Sequence, residues 1–249
     1  MIEIRGLKKS FGKQQVLRGI NLEVGTGELL AVIGMSGGGK SVLLKHLIGL
    51  LKPDSGEIFI SGQDIVNMTH DQLDEIRSMV GVLFQGGALF DSMNVFENVS
   101  FPLKEKTRMN KEEINSRTYA ALEDVGLSGM GHKYPAEISG GMRKRVGLAR
   151  ALISEPSIVL FDEPTTGLDP ITLNSIHRLI KSTQKKHGFT GVIISHEIPE
   201  IFDIADRIAV IYQGAIVQSD TPDAIRNSTD PIVQQFISGG QTGPIKTIS

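Results

Sequence analysis

The eight residues Gly34-Met35-Ser36-Gly37-Gly38-Gly39-Lys40-Ser41 fit the pattern G-x-x-x-x-G-K-[ST], and their setting narrows the fold more than any other feature of the chain. Before them stands Leu29-Leu30-Ala31-Val32-Ile33, a short apolar run expected of a strand covered on both faces. After them Val42, Leu43, Leu44, Leu47, Ile48 and Leu51 fall at helical spacing, and Pro53 closes the segment. A strand, a glycine turn and a helix start let successive backbone N–H groups converge on phosphate oxygens, and the helix dipole adds partial positive charge. Lys40 would reach the β- and γ-phosphates, and the Ser41 hydroxyl would ligate Mg²⁺. Gly34, Ser36, Gly37, Gly38 and Gly39 complete a nucleoside triphosphate cradle. The plainer alternative is a glycine-rich turn with an exposed lysine.

Elsewhere, residues 2–4 and 20–24 alternate apolar and polar, as half-buried strands do. Residues 71–79 read as a short helix and 80–84 as a strand. Asn110-Lys-Glu-Glu113 is a capping box opening a helix, and 141–153 and 173–187 are further helices. Ile158-Val-Leu-Phe161 and Gly191-Val-Ile-Ile-Ser195 are buried strands, and 208–212 with 215–218 form a hairpin around Gly214. Buried strands alternating with helices predict an α/β fold with a mainly parallel sheet, and the terminal hairpins add antiparallel strands. The mostly helical stretch 86–154 interrupts the strand series and reads as an inserted subdomain. Residues 239–244 are too polar and glycine-rich to pack well.

Ile158-Val-Leu-Phe-Asp162-Glu163 places two acids at the carboxyl end of a strand, where open α/β sheets bind ligands. Asp162 would hold Mg²⁺, directly or through water. Glu163 would orient or deprotonate an attacking water. A solvated strand end is the alternative. His196 also follows a buried strand, suited to a γ-phosphate or to the attacking water. His46, His70, His132, His177 and His187 sit on helices or polar loops as surface or packing residues, and no pair has metal-ligand spacing.

The balance of 26 Lys+Arg against 28 Asp+Glu weighs against binding nucleic acid through a bulk positive field. With no cysteine there is no disulfide framework, thiol nucleophile or cysteine metal site. No apolar run approaches the roughly 18 residues of a membrane helix, so a membrane role would come through a partner.

Ile138-Ser139-Gly140-Gly141-Met142, followed by Arg-Lys-Arg-Val-Gly-Leu-Ala-Arg-Ala, lies just upstream of the Asp-Glu strand. With the phosphate loop, this order of motifs resembles the ABC transporter ATPases over residues 1–237. The resemblance implies a P-loop NTPase core of mainly parallel sheet (about 1–85 and 155–237), an antiparallel β subdomain and an inserted helical subdomain (about 86–154). Residues 238–249 would be a flexible tail. It also implies ATP and Mg²⁺ as ligands. Phe11 takes the place of the aromatic that stacks on adenine. Gln85 matches the glutamine that senses Mg²⁺ and the γ-phosphate, Asp169 the loop crossing the dimer interface, and His196 the switch histidine. Ser139, Gly140 and Gly141 open a helix suited to an anion. In the family they contact ATP held by the other subunit, which implies a homodimer. Four positions depart from the usual pattern: Phe11 for tyrosine, which keeps the ring face and loses a hydroxyl, Met142 for glutamine, Ile138 for leucine, and Glu197 for aspartate.

Within that family, Gly37–His46, Phe84–Asp91 with Asn94–Val99, and Ser139–Val146 look closest to ATPases of Mla/Mce-type lipid transporters. This implies an integral membrane permease, a phospholipid cargo, Mce-domain and STAS-domain subunits, and a place at the cytoplasmic face of a bacterial inner membrane. The alternatives are another import or export system, or a soluble ABC ATPase acting on nucleic acid or ribosomes. Leu89, Phe90, Met93, Val95, Phe96 and Phe101 would help form the permease groove, or else pack the helical subdomain. Arg143-Lys144-Arg145 reads as a solvated helix face or a lipid-headgroup patch.

Overall fold

The computed structural model describes residues 1–245. In chain order come β1 (Ile2–Phe11), β2 (Gln14–Val24), β3 (Leu29–Ile33), α1 (Lys40–Leu47), β4 (Ser55–Ile60), β5 (Gln63–Asp64) and α2 (His70–Ser78). Next are β6 (Val80–Leu83), α3 (Val95–Lys106), α4 (Lys111–Asp124), α5 (Gly140–Leu152), β7 (Ile158–Asp162) and α6 (Pro170–His187). The chain closes with β8 (Thr190–Ser195), β9 (Arg207–Tyr212), β10 (Ala215–Asp220), α7 (Pro222–Arg226) and α8 (Pro231–Ser238). Among the described residues they fall into two compact units, 1–77 with 190–245, and 78–189.

In the first unit an antiparallel sheet runs β2-β1-β4-β5. The alternation read at 2–4 and 20–24 is its inward face: Ile2, Ile4, Ile20, Leu22 and Val24 are buried. A second sheet places β3 between β8 and β9, parallel to both, with β10 antiparallel to β9. All of Leu29–Ile33 is buried, which explains the unbroken apolar run. Each Leu, Val and Ile of this run contributes about 1.5–3 kcal/mol on leaving water. The helix expected to Leu51 ends at Leu47, because Gly49 takes φ +63° and Arg77 caps the exit through the carbonyls of Ile48 and Gly49.

The glycine-rich stretch after α8 is held more closely than its composition suggests. Gln235 donates to the carbonyls of Gly240 and Ile245 and accepts from the Ile245 N–H, and Ile245 is buried. Residues 246–249 of the expected tail lie outside the described residues.

His46 on α1 is a packing residue, 0% exposed, with Nδ1 2.7 Å from the Val42 carbonyl. Burial pushes its pKa below the ordinary value, against the opposing pull of that carbonyl, with Lys9 also lowering it and Asp54 raising it. Above about pH 6.5 the ring is neutral in both folded and unfolded chains, so it adds no pH dependence there. As pH falls below that value the unfolded chain takes up the proton first, and folding stability declines. The urea midpoint of the full chain should therefore be lower at about pH 5 than at about pH 7.5, and His46→Leu should narrow the gap. An unchanged gap would remove His46 as its source.

In the second unit β6 and β7 pair in parallel, Val80–Leu83 against Ile158–Phe161. Helices α3, α4 and α5 pack together around Val95, Val99, Leu103, Ile114, Leu122, Val146 and Leu148. The α3 start was not read from the sequence, although Asn94 and Glu97 form a full capping box there. Gly81 lets β6 pass against α5, since a β-carbon at that point would lie 2.3 Å from the Ala151 carbonyl oxygen.

Candidate functional site

In the first unit the phosphate loop leaves β3 through Gly34, where only glycine fits: a β-carbon would stand 2.3 Å from the Ile211 carbonyl oxygen. The loop enters α1 at Gly39, whose φ of +96° is left-handed. No side chain caps this helix start and no acidic residue lies in its first turn. The N-terminal dipole is thus left to an anion. Lys40 is 4% exposed and its Nζ donates to the Gly34 and Met35 carbonyls at 2.8 and 3.0 Å. The ammonium is therefore held over the loop rather than extended into solvent, which settles the alternative of an exposed lysine. Beside Gly37 and Gly38 opens a cavity of about 580 Å³ whose other walls include Lys13, Arg18 and Gln213. Two glycine turns carry two of these walls: the Gly12 turn places Lys13, and the Gly214 turn places Gln213.

Phe11 lies at the end of β1, paired with Gln14 and 48% exposed, with the Lys9 ammonium 5.7 Å from its ring centre. An aromatic face is thus available on the unit that carries the phosphate loop. His196 is exposed just past β8. Because Ile33 is the register partner of Ser195 in a parallel pair, His196 and Gly34 both follow the carboxyl ends of their strands at the same level.

In the second unit the register of Leu83 with Phe161 brings Gln85 beside the end of β7, and Gln85 Nε2 donates to Glu163 Oε2 at 3.3 Å. Asp162 ends the strand half-buried. Glu163 follows it at φ +48°, an uncommon conformation for a residue with a β-carbon. Ser139 caps α5, its hydroxyl accepting the Met142 N–H at 3.2 Å. Gly141 allows α5 to approach α6: a β-carbon there would lie 2.6 Å from a Thr172 methyl. Asp169 caps α6 by accepting the N–H groups of Ile171 and Thr172, both at 3.0 Å. Its carboxyl pKa lies below the ordinary range, chiefly through the Thr172 hydroxyl and then the Thr172 N–H.

Arg143-Lys144-Arg145 is neither a solvated face nor a lipid patch in this structure. Arg143 binds the Pro135 and Ile138 carbonyls, Lys144 the Gln85 carbonyl, and Arg145 the Val125 carbonyl and the Ser175 hydroxyl. Arg150 adds bonds to the Gly87 and Ala88 carbonyls, and burial lowers its pKa. Basic residues of α5 thus clamp the loop that follows Gln85. A cluster of like charges reads as solvated until carbonyls distant in sequence are brought to it.

The apolar stretch 86–103 divides. Val95, Val99 and Leu103 are core, and Phe96 packs on Tyr119 with ring centres 5.2 Å apart. Phe84, Phe90 and Phe101 instead line a cavity of about 320 Å³ with Arg150. Among the described residues no helix is long and apolar enough to cross a membrane, and no His, Cys, Asp and Glu cluster suited to a metal forms.

The sequence profile of the ABC transporter family matches residues 17–166. The probable ribonucleotide transport ATP-binding protein mkl of Mycobacterium leprae is 43% identical over 98% of this chain and 70% of its own. The intermembrane phospholipid transport system ATP-binding protein MlaF of Escherichia coli K12 is 38% identical over 98% of this chain and 91% of its own. Among solved structures, the dimeric ATP-binding cassette MJ0796 in a post-hydrolysis state with ADP and Pi superposes with a TM-score of 0.81. That alignment has 31% identity and covers 89% of this chain and 99% of the other. The uncapped start of α1, the lysine held over its loop and these likenesses agree: the chain belongs to the ABC transporter family, as an ATPase subunit that binds ATP with Mg²⁺, dimerises and works with a membrane permease.

Proposed function

We propose that this ATPase drives a transporter that moves phospholipid between membranes. The observation that carries the reading is the alignment with MlaF, which spans nearly the full length of both chains. The mkl relatives carry a different cargo name, ribonucleotide, so cargo is one outcome of the test below. In this reading Lys40 and the N–H groups of Gly34 and Ser36–Gly39 hold the phosphates of ATP, and Phe11 stacks on its base. Ser41, Gln85 and Asp162 hold Mg²⁺, which when bound neutralises charge on the β- and γ-phosphates. Glu163 takes a proton from the attacking water, and His196 holds the γ-phosphate side in place. Ser139, Gly140 and Gly141 offer a helix start to the ATP of the second copy, beside the loop that ends at Asp169. Residues 86–154 serve as the helical subdomain, and the cavity lined by Phe84, Phe90 and Phe101 receives a cytoplasmic helix of the permease. Mce-domain and STAS-domain subunits complete the assembly, at the cytoplasmic face of an inner membrane.

Affinity capture of the tagged full chain from detergent-solubilised membranes, with lipid analysis of the eluate, tests this reading. A polytopic membrane protein with bound phospholipid is expected. Ribosomes or DNA without a membrane protein would overturn the assignment, and a permease that binds ribonucleotide instead would overturn the cargo. Phe90 is 42% exposed and leans on Phe101 at 5.0 Å. Phe90→Ser should therefore weaken permease capture by about tenfold and leave ATP binding intact. Phe96→Ser, which removes the contact with Tyr119 instead, should retain capture. Equal loss in both variants would point to a folding defect rather than docking.

A further inference from the structure

The turn that follows β7 ties the Glu163 carboxylate to the loop leading into α6. The Thr166 N–H bonds the Glu163 carbonyl at 3.4 Å, and the Thr166 hydroxyl donates to Glu163 Oε2 at 3.1 Å. The neighbouring Thr165 is wholly buried, with its hydroxyl 3.3 Å from Nε2 of His177 on α6. The turn is thus pinned on its inner side while Thr166 faces the acid. Gln85 Nε2 reaches the same oxygen from the opposite strand of the pair, at 3.3 Å. A carboxylate oxygen has two lone pairs, so Oε2 can accept both donors. From this we infer that Thr166 is a positioning residue for hydrolysis. Its hydroxyl orients the Glu163 carboxylate toward the attacking water. It also makes that orientation depend on the 165–169 loop, whose last residue caps α6.

The inference rests on Glu163 acting as the general base, and the test separates the two claims. Steady-state hydrolysis of MgATP by the full chain is compared for Thr166→Val, Thr166→Ser, Glu163→Gln and the double variant Glu163→Gln/Thr166→Val. Valine keeps the shape and loses the donor, so kcat should fall about tenfold while KM for ATP stays within about twofold. Serine restores the hydroxyl and should recover kcat to within about twofold of the parent. In the Glu163→Gln background the valine change should cost almost nothing more, since the two groups act as a unit. Full activity in Thr166→Val, or an equal loss with serine, overturns the positioning role. So does a further tenfold loss in the double variant, because the hydroxyl would then act elsewhere. If Glu163→Gln itself keeps normal turnover, the assignment of the base fails, whatever Thr166 does.

Discussion

Replacing Glu163 with glutamine should lower ATP hydrolysis by about 10²–10⁴-fold, the range expected when a general base is removed, and leave ATP binding in place. The amide has the size of the acid, and the surroundings dictate which way it lies. Gln85 Nε2 and the Thr166 hydroxyl both present donors to Oε2, so the amide oxygen must occupy that position. Its NH₂ then takes the place of Oε1, and the neutral amide cannot accept a proton as the carboxylate would. If two copies share the nucleotide as proposed, ATP would remain intact between them and the dimer should accumulate. Size-exclusion chromatography at saturating MgATP should show a dimer for Glu163→Gln and a smaller dimer fraction for the parent. A variant that stays monomeric with ATP bound would refute either the shared-nucleotide arrangement or the role of Glu163.

Lys40→Ala should fail earlier in the cycle. Its ammonium is buried over the phosphate loop, fixed by the Gly34 and Met35 carbonyls, and no other cation is part of the loop itself. In the proposed site alanine would remove the charge that offsets the β- and γ-phosphates and leave only the backbone N–H groups and the dipole of α1. Nucleotide affinity should fall at least about tenfold and turnover by about 10²–10³-fold, comparable to loss of one preorganised donor to a developing charge. A fluorescent-nucleotide titration checks the first and a phosphate-release assay the second. Because binding itself is impaired, Lys40→Ala should form no ATP-dependent dimer, which distinguishes it from Glu163→Gln. Near-normal turnover would remove Lys40 from the site.

The parallel strands were legible because their burial on both faces leaves an unbroken apolar signature: Leu29–Ile33, Ile158–Phe161 and Gly191–Ser195 all lie in sheets. The phosphate loop was legible because its chemistry is local, with glycines, lysine and helix start contiguous in sequence. Short elements were less visible. α7 and α8 begin with Thr221-Pro222 and Asp230-Pro231, a cap followed by proline, but each is too brief to show helical periodicity. The apolar stretch 86–103 looked uniform, and only packing separated Val95 and Val99, in the core, from Phe90, at the cavity.

Contiguous residues were enough to establish a phosphate-binding strand–loop–helix, a parallel α/β architecture and a likeness to ABC ATPases, since each depends on short-range spacing and backbone freedom. Folding was needed to turn a run of three basic residues into carbonyl clamps, to seat His46 inside the protein, and to aim two donors at one oxygen of Glu163. The reason is distance along the chain. Gln85 and Glu163 are 78 positions apart, and no pattern within either neighbourhood records that strand register will bring them within a hydrogen bond.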